Sequence, residues 1–128
     1  MVRAVASAFG VAFLAVGVLG FILNPTGGEL LGIFAVNVVH NLVHLAFGIL
    51  GTAAAYTGWS RTYLRIVGVI YLLLGILGFV PGLYVGREML LGLVHINLAD
   101  NFLHLVLGGA AAYFGFAPQH VGRASSTA

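Results

Sequence analysis

The chain has 128 residues, 61% of them hydrophobic and only 6% charged, with a net charge of +2 and no cysteine. A soluble domain carries roughly 25% charged residues, so this composition excludes a water-solvated globule. The lack of cysteine excludes disulfides and thiolate metal sites, and so small a net charge excludes an electrostatic footprint for nucleic acid.

The expected fold is an all-α membrane protein, one integral domain over residues 1–128 with four transmembrane helices. The first predicted span runs from about Ala4 to Leu23. Its apolar run exceeds a signal-peptide core and no small-x-small cleavage site follows it, so it is expected to remain as a helix. An outer loop from about Asn24 to Val36 contains Glu29 and "LLGIF". That segment is too apolar to be freely solvated and is expected to form a short interfacial helix or to extend the next span, with Glu29 at a helix N-terminus that favours an anion.

The second span, about Asn37 to Tyr56, opens with "NVVHNLVHLAFG". Asn37, His40, Asn41 and His44 stand at a spacing of 0, 3, 4 and 7, which on a helix shares one face. A short loop with Trp59, a suitable interfacial anchor, leads to the third span, about Thr62 to Val80. A second outer loop, Pro81 to Ile96, holds Glu88 and "LLGLV", and the fourth span runs from about Asn97 to Phe116. Each span is near the ~20 residues that a bilayer core requires.

Arg3, Arg61, Arg65 and Arg123 flank the N-terminus, the middle loop and the C-terminus, whereas only Arg87 lies in an outer loop. The positive-inside rule then places both termini in the cytoplasm of a bacterium, as a multi-pass protein of the cytoplasmic (inner) membrane. His120 falls in the expected cytoplasmic tail.

The chain reads as a tandem duplication. "LLGIFAVNVVHNLVHLAFG" from Leu30 matches "LLGLVHINLADNFLHLVLG" from Leu90 at an offset of 60, pairing Asn37 with Asn97, Asn41 with Asn101 and His44 with His104. Asp100 stands where the first copy has His40. The preceding helices match at an offset of 58, "GVAFLAVGVLGF" against "GVIYLLLGILGF". The repeats cover residues 4–57 and 62–116, and two hairpins of equal orientation predict a pseudo-two-fold axis along the membrane normal. Gly10, Gly17 and Gly20, their matches Gly68, Gly75 and Gly78, and Gly48 with Gly108 recur in both copies and are expected to let helices pack closely.

Polar residues in lipid are costly and should face the bundle interior. The leading expectation is a hydrogen-bonded polar cluster of Asn37, His40, Asn41, His44, Asn97, Asp100, Asn101 and His104 that holds the repeats together, with Asp100 facing His40 as a charge-assisted pair. In that case there is no cofactor. Two alternatives use the histidines as ligands. His44 and His104, related by the duplication, would present two imidazoles to a haem iron or one each to a chlorin, with Gly48 and Gly108 making room for the macrocycle. Or His40, His44 and His104, with Asp100, would bind a first-row metal ion. No Ser-His-Asp arrangement, phosphate loop or H-E-x-x-H sequence points to an enzyme.

The stretch "LLGIFAVNVVHNLVHLAFGILG" resembles the signature of a family of small four-helix bacterial membrane proteins known only as a domain of unknown function. The signature, an Asn-x-x-His-Asn-x-x-His-Leu-x-x-Gly-like motif, falls on Asn37, His40, Asn41, His44, Leu45 and Gly48, and the second copy departs from it at Asp100. The resemblance covers most of residues 4–116 and implies a polytopic membrane protein with a polar outer cluster, without an activity. The function expected is therefore non-enzymatic: an assembly module or accessory subunit whose partners are the bilayer and other membrane subunits or further copies of itself.

Overall fold

The structure, a computed structural model, describes residues 1–86 and 88–118. Arg87 and the tail with His120 and Arg123 lie outside the described residues. Four helices follow one another: α1 (Val2–Leu23), α2 (Val38–Thr57), α3 (Ser60–Leu77) and α4 (Leu98–Phe116). The first three are long and apolar enough to cross a membrane. α4 has similar length, 19 residues, but its first two turns carry Asp100, Asn101 and His104. The third helix stops at Leu77, short of the expected Val80. Pro81 begins a 3-10 turn, and Val80 before it is extended at φ −101° and ψ 101°, because the proline ring clashes with a helical residue at that position.

Glycine seams zip α1 to α2 and α3 to α4. A Cβ on Gly10 would lie 2.6 Å from the Thr52 nitrogen, and one on Gly48 2.6 Å from that of Leu14. In the other pair, a Cβ on Gly68 would lie 2.6 Å from the Ala112 nitrogen and one on Gly108 2.6 Å from that of Leu72. Gly17 faces Leu45 as Gly75 faces Leu105, and Gly20 and Gly78 lie against Asn41 and Asn101. Only hydrogen at Cα permits these backbone approaches, which supply dispersion contact where lipid removes the hydrophobic driving force. Phe13, Tyr63, Leu64, Val67 and Tyr71 form a core between the pairs. Outward, Val11, Ile22, Ile49, Leu73, Phe102 and Val106 are exposed, a belt of a kind that soluble monomers rarely show.

At one end, Arg61 Nη1 donates to the carbonyls of Gly115 at 3.2 Å and Ala117 at 2.7 Å, and Arg65 Nε donates to Gly115 at 2.8 Å. These cations satisfy the open carbonyls at the C-terminus of α4. Trp59 is exposed at the same end.

At the other end the two connections are small antiparallel sheets, not the interfacial helices or helix extensions expected from their apolarity. β1 (Gly28–Leu30) pairs with β2 (Phe34–Val36). β3 (Tyr84–Val85), β4 (Met89–Leu90) and β5 (Val94–His95) pair in that order. Glu29 therefore lies in a strand opposite Ala35 and not in the first turn of a helix. Each "Leu-Leu-Gly" bends the chain back on itself. Leu31 and Gly32 have φ of 56° and 68°, Leu91 and Gly92 of 53° and 71°, and Ile33 and Leu93 donate to Leu30 and Leu90 at 3.1 and 3.0 Å. Two consecutive left-handed residues make a type I′ turn, whose twist matches the strands. Alternation then buries Leu30 and Leu90 and exposes Leu31 and Leu91.

The seams generate a stability prediction. Gly48→Ala and Gly108→Ala should each destabilise by about 1–3 kcal/mol through overpacking. Gly109→Ala, which meets open space, should be neutral or slightly stabilising. Reversible unfolding in detergent micelles checks this; equal effects at all three positions would contradict the seam.

Candidate functional site

α2 and α4 both start on asparagine. The Asn37 side chain accepts the His40 N–H at 2.9 Å, and the Asn97 side chain accepts that of Asp100 at 3.1 Å. Asp100 Oδ2 in turn accepts the Asn97 N–H at 2.9 Å, closing a capping box. Both asparagines thus precede the first turn as N-caps, where their carbonyls meet donors that the helix leaves open. They do not share the helical face that the spacing assigned to them.

The remaining donors and acceptors reach across to the opposite hairpin. Asn37 Nδ2 donates to the Leu93 carbonyl at 2.9 Å, and Asn97 Nδ2 donates to that of Ile33 at 2.8 Å. Asp100 Oδ2 accepts the Ala35 N–H at 2.9 Å. His40 Nδ1 donates to the His95 carbonyl at 3.0 Å. Asp100 and His40 therefore form no ion pair with each other; each holds the other hairpin's strand backbone. His95 itself bridges Val36 O at 3.3 Å and Glu88 Oε2 at 2.6 Å.

One turn deeper, Asn101 Nδ2 donates to the Gly78 carbonyl at 2.8 Å. Asn41 packs on Gly20 in the matching place, with neither amide atom paired among the described residues. On the same level His44 and His104 meet His40. One ring nitrogen from each of the three lies within 4.8 Å of the others, and all three residues are buried. Phe13 stacks on His44 at 5.7 Å and 7°, and Tyr71 and His104 meet edge to face at 5.0 Å. The Nδ1 atoms of His44 and His104 are buried without a hydrogen-bond partner among the described residues.

The tautomer of His40 follows from its partner. A carbonyl oxygen only accepts, so Nδ1 carries the proton and Nε2 keeps its lone pair. An imidazole whose outer N–H is fixed by a backbone carbonyl is the usual form of a metal ligand. A macrocycle fits poorly. A haem iron has two axial positions, whereas three rings converge here, with His40 and His44 centroids 4.5 Å apart. Gly48 and Gly108 make no room, since Leu14 and Leu72 occupy their faces.

His44 and His104, but not His40, line a cavity of about 440 Å³ between α1 and α4. Ala8, Phe9, Ala12 and Val16 of α1, Leu103 and Leu107 of α4, and Leu30 of β1 wall it; His44, His104, Tyr71 and Asp100 are its polar-bearing residues.

Sequence reasoning missed the backbone partners at Ala35 and His95, since a main-chain donor has no letter. It also missed Phe13 and Tyr71, although the two aromatics occupy matching places in "GVAF" and "GVIY". A family model described as Domain of unknown function (DUF4383) matches residues 3–117. No curated protein and no solved structure matches.

Asn37→Ala and Asn97→Ala should each cost about 1–3 kcal/mol, combining a lost cap with a lost cross-hairpin bond. Asn37→Asp keeps the cap acceptor and loses the donor, so it should recover roughly the cap's share of about 1 kcal/mol. Unfolding in detergent micelles measures the three; an aspartate variant as stable as the parent would remove the bond to Leu93 from the account.

Proposed function

The chain belongs to this family of unknown function, and we propose that it is a multi-pass protein of the bacterial cytoplasmic membrane that holds one divalent first-row metal ion on His40, His44 and His104. The observation that carries this is the convergence of three buried imidazoles within 4.8 Å, two of them with unpaired nitrogens. Buried polar atoms are rarely left unpaired, and a bound ion would give the two imidazoles a partner that the protein does not supply. The gluing role expected from the sequence is kept for Asn37, Asn97, His40 and Asp100, which reach across the hairpins. Imidazole suits zinc, copper, iron and nickel. A tetrahedral ion with bonds of about 2.1 Å holds its ligands about 3.4 Å apart, so the three nitrogens, within 4.8 Å of one another, would draw in around it, with His44 and His104 on the side that borders the cavity.

The proposal includes a tandem duplication of a helical hairpin, with both termini and the Trp59 loop cytoplasmic. Its support is the sequence match, the like seams of Gly17 with Leu45 and Gly75 with Leu105, and the reciprocal bonds of Asn37 to Leu93 and Asn97 to Ile33. The arginine asymmetry supports the orientation. Thr57→Cys, at an exposed position beside the Trp59 loop, should be shielded from impermeant reagents in intact cells and Gly86→Cys labelled; the reverse pattern inverts the topology.

Protein purified without a polyhistidine tag should bind one Zn²⁺ per chain in calorimetry. His44→Ala and His104→Ala should each weaken binding about 100-fold or more, whereas His95→Ala, whose backbone carbonyl is retained, should still bind one ion. Binding unchanged in a variant lacking His40, His44 and His104 would overturn the proposal.

A further inference from the structure

The cavity beside His44 and His104 asks for an occupant. Its volume of about 440 Å³ lies within the ~300–1,000 Å³ of small-molecule sites. Its walls are apolar side chains of α1 and α4, whose neighbouring outward residues Val11, Val18 and Val106 are exposed. A ligand reaching it from lipid needs no water-filled path. The glycine seams close α1 on α2 and α3 on α4, and leave this gap between the pairs. His44, His104, Tyr71 and Asp100 border the same cavity, mainly through their carbon atoms, with their polar atoms behind its apolar surface.

Charge narrows the chemistry. Three neutral imidazoles leave a divalent ion at +2 in a low-dielectric site, where uncompensated charge is costly. Asp100 in the same wall supplies one negative charge, and its Oδ2 is already held by the N–H groups of Ala35 and Asn97. One further anion makes the site neutral. Among the described residues no other Asp or Glu and no cysteine lines this cavity, so the further anion is a hydroxide from solvent or a group of the ligand that displaces it.

We propose that the cavity binds a long-chain carboxylate, such as a free fatty acid, with its chain along the α1–α4 walls and its carboxylate in the open position of the metal. This rests on the metal site proposed above. No bond is made or broken beyond coordination: the carboxylate replaces a solvent molecule on the ion.

Co²⁺ is a suitable probe, because its visible bands report both uptake and a change of ligand. The full chain is placed in phosphatidylcholine nanodiscs, loaded with Co²⁺ and titrated with dodecanoate, dodecanol or acetate. Dodecanoate should shift the bands at concentrations at least tenfold below acetate, and dodecanol should leave them unchanged. Ala12→Phe, which fills the cavity, should keep the Co²⁺ bands and lose the response to dodecanoate; Ala8→Leu is the second variant should the first not fold. A shift by dodecanol, equal potency of acetate, or an unaltered response in a folded cavity-filled variant would each overturn the carboxylate inference while leaving the metal site standing. No Co²⁺ uptake by the parent chain would overturn the metal site itself.

Discussion

The arrangement depends on one constraint: at the sheet-bearing end, polar groups with little water around them must find partners, and the nearest partners belong to the other hairpin. Asn37 and Asn97 spend their carbonyls on their own helix starts and have amide donors left over; Asp100 has acceptor capacity left and His40 a ring N–H. All four discharge that remainder into the opposite connection, at Leu93, Ile33, Ala35 and His95. A buried donor or acceptor left unpaired costs about 1–3 kcal/mol, so separation of the hairpins would expose several such penalties together. The clasp also has a directional consequence. By tying Nδ1 of His40 to a carbonyl, it turns the lone pair of that ring to Nε2, and it brings the starts of α2 and α4 close enough for His44 and His104 to meet His40.

The glycine seams set the depth at which this happens. Gly20 under Asn41 and Gly78 under Asn101 let the two amides sink against the last turns of α1 and α3. Phe13 and Tyr71, stacked on each other at 5.1 Å, then fill the centre beneath the imidazoles. The aromatic floor excludes solvent from below, and the small sheets cover the cluster from above with Leu30, Val36, Leu90 and Ile96 buried. What stays open is the side between α1 and α4, where no glycine seam draws the helices together.

The helices were legible in the sequence because their signal is length and hydropathy, which are additive over some twenty residues, and the glycines because they recur at matching places. The connections were not. "LLGIF" is apolar, and apolarity alone reads as a buried helix turn; its actual instruction is a left-handed Leu31 before Gly32, a turn normally announced by Asn-Gly or Asp-Gly. The eight polar residues were visible as letters in an apolar chain, but their division of labour was not. Periodicity placed Asn37 with His44 on a helix face, whereas the physics of open N–H groups makes it a cap. The expected pairing of Asp100 with His40 failed for a related reason. Charge complementarity between side chains is visible in letters, while the backbone groups of Ala35 and His95 that compete for them are not. The separation of satisfied clasp residues from unsatisfied imidazoles therefore emerges only in three dimensions.

Two roles remain for His40, His44 and His104: ligands of one ion, as proposed above, or three members of a polar network. X-ray absorption at the metal edge, on protein extracted from its native membrane without added metal, separates them most directly. The expected spectrum is that of a stoichiometric first-row metal with only nitrogen and oxygen neighbours at about 2.0–2.1 Å, and the outer scattering of three imidazole rings. A metal-free protein, or an ion whose spectrum lacks imidazole scattering, would contradict the ligand role.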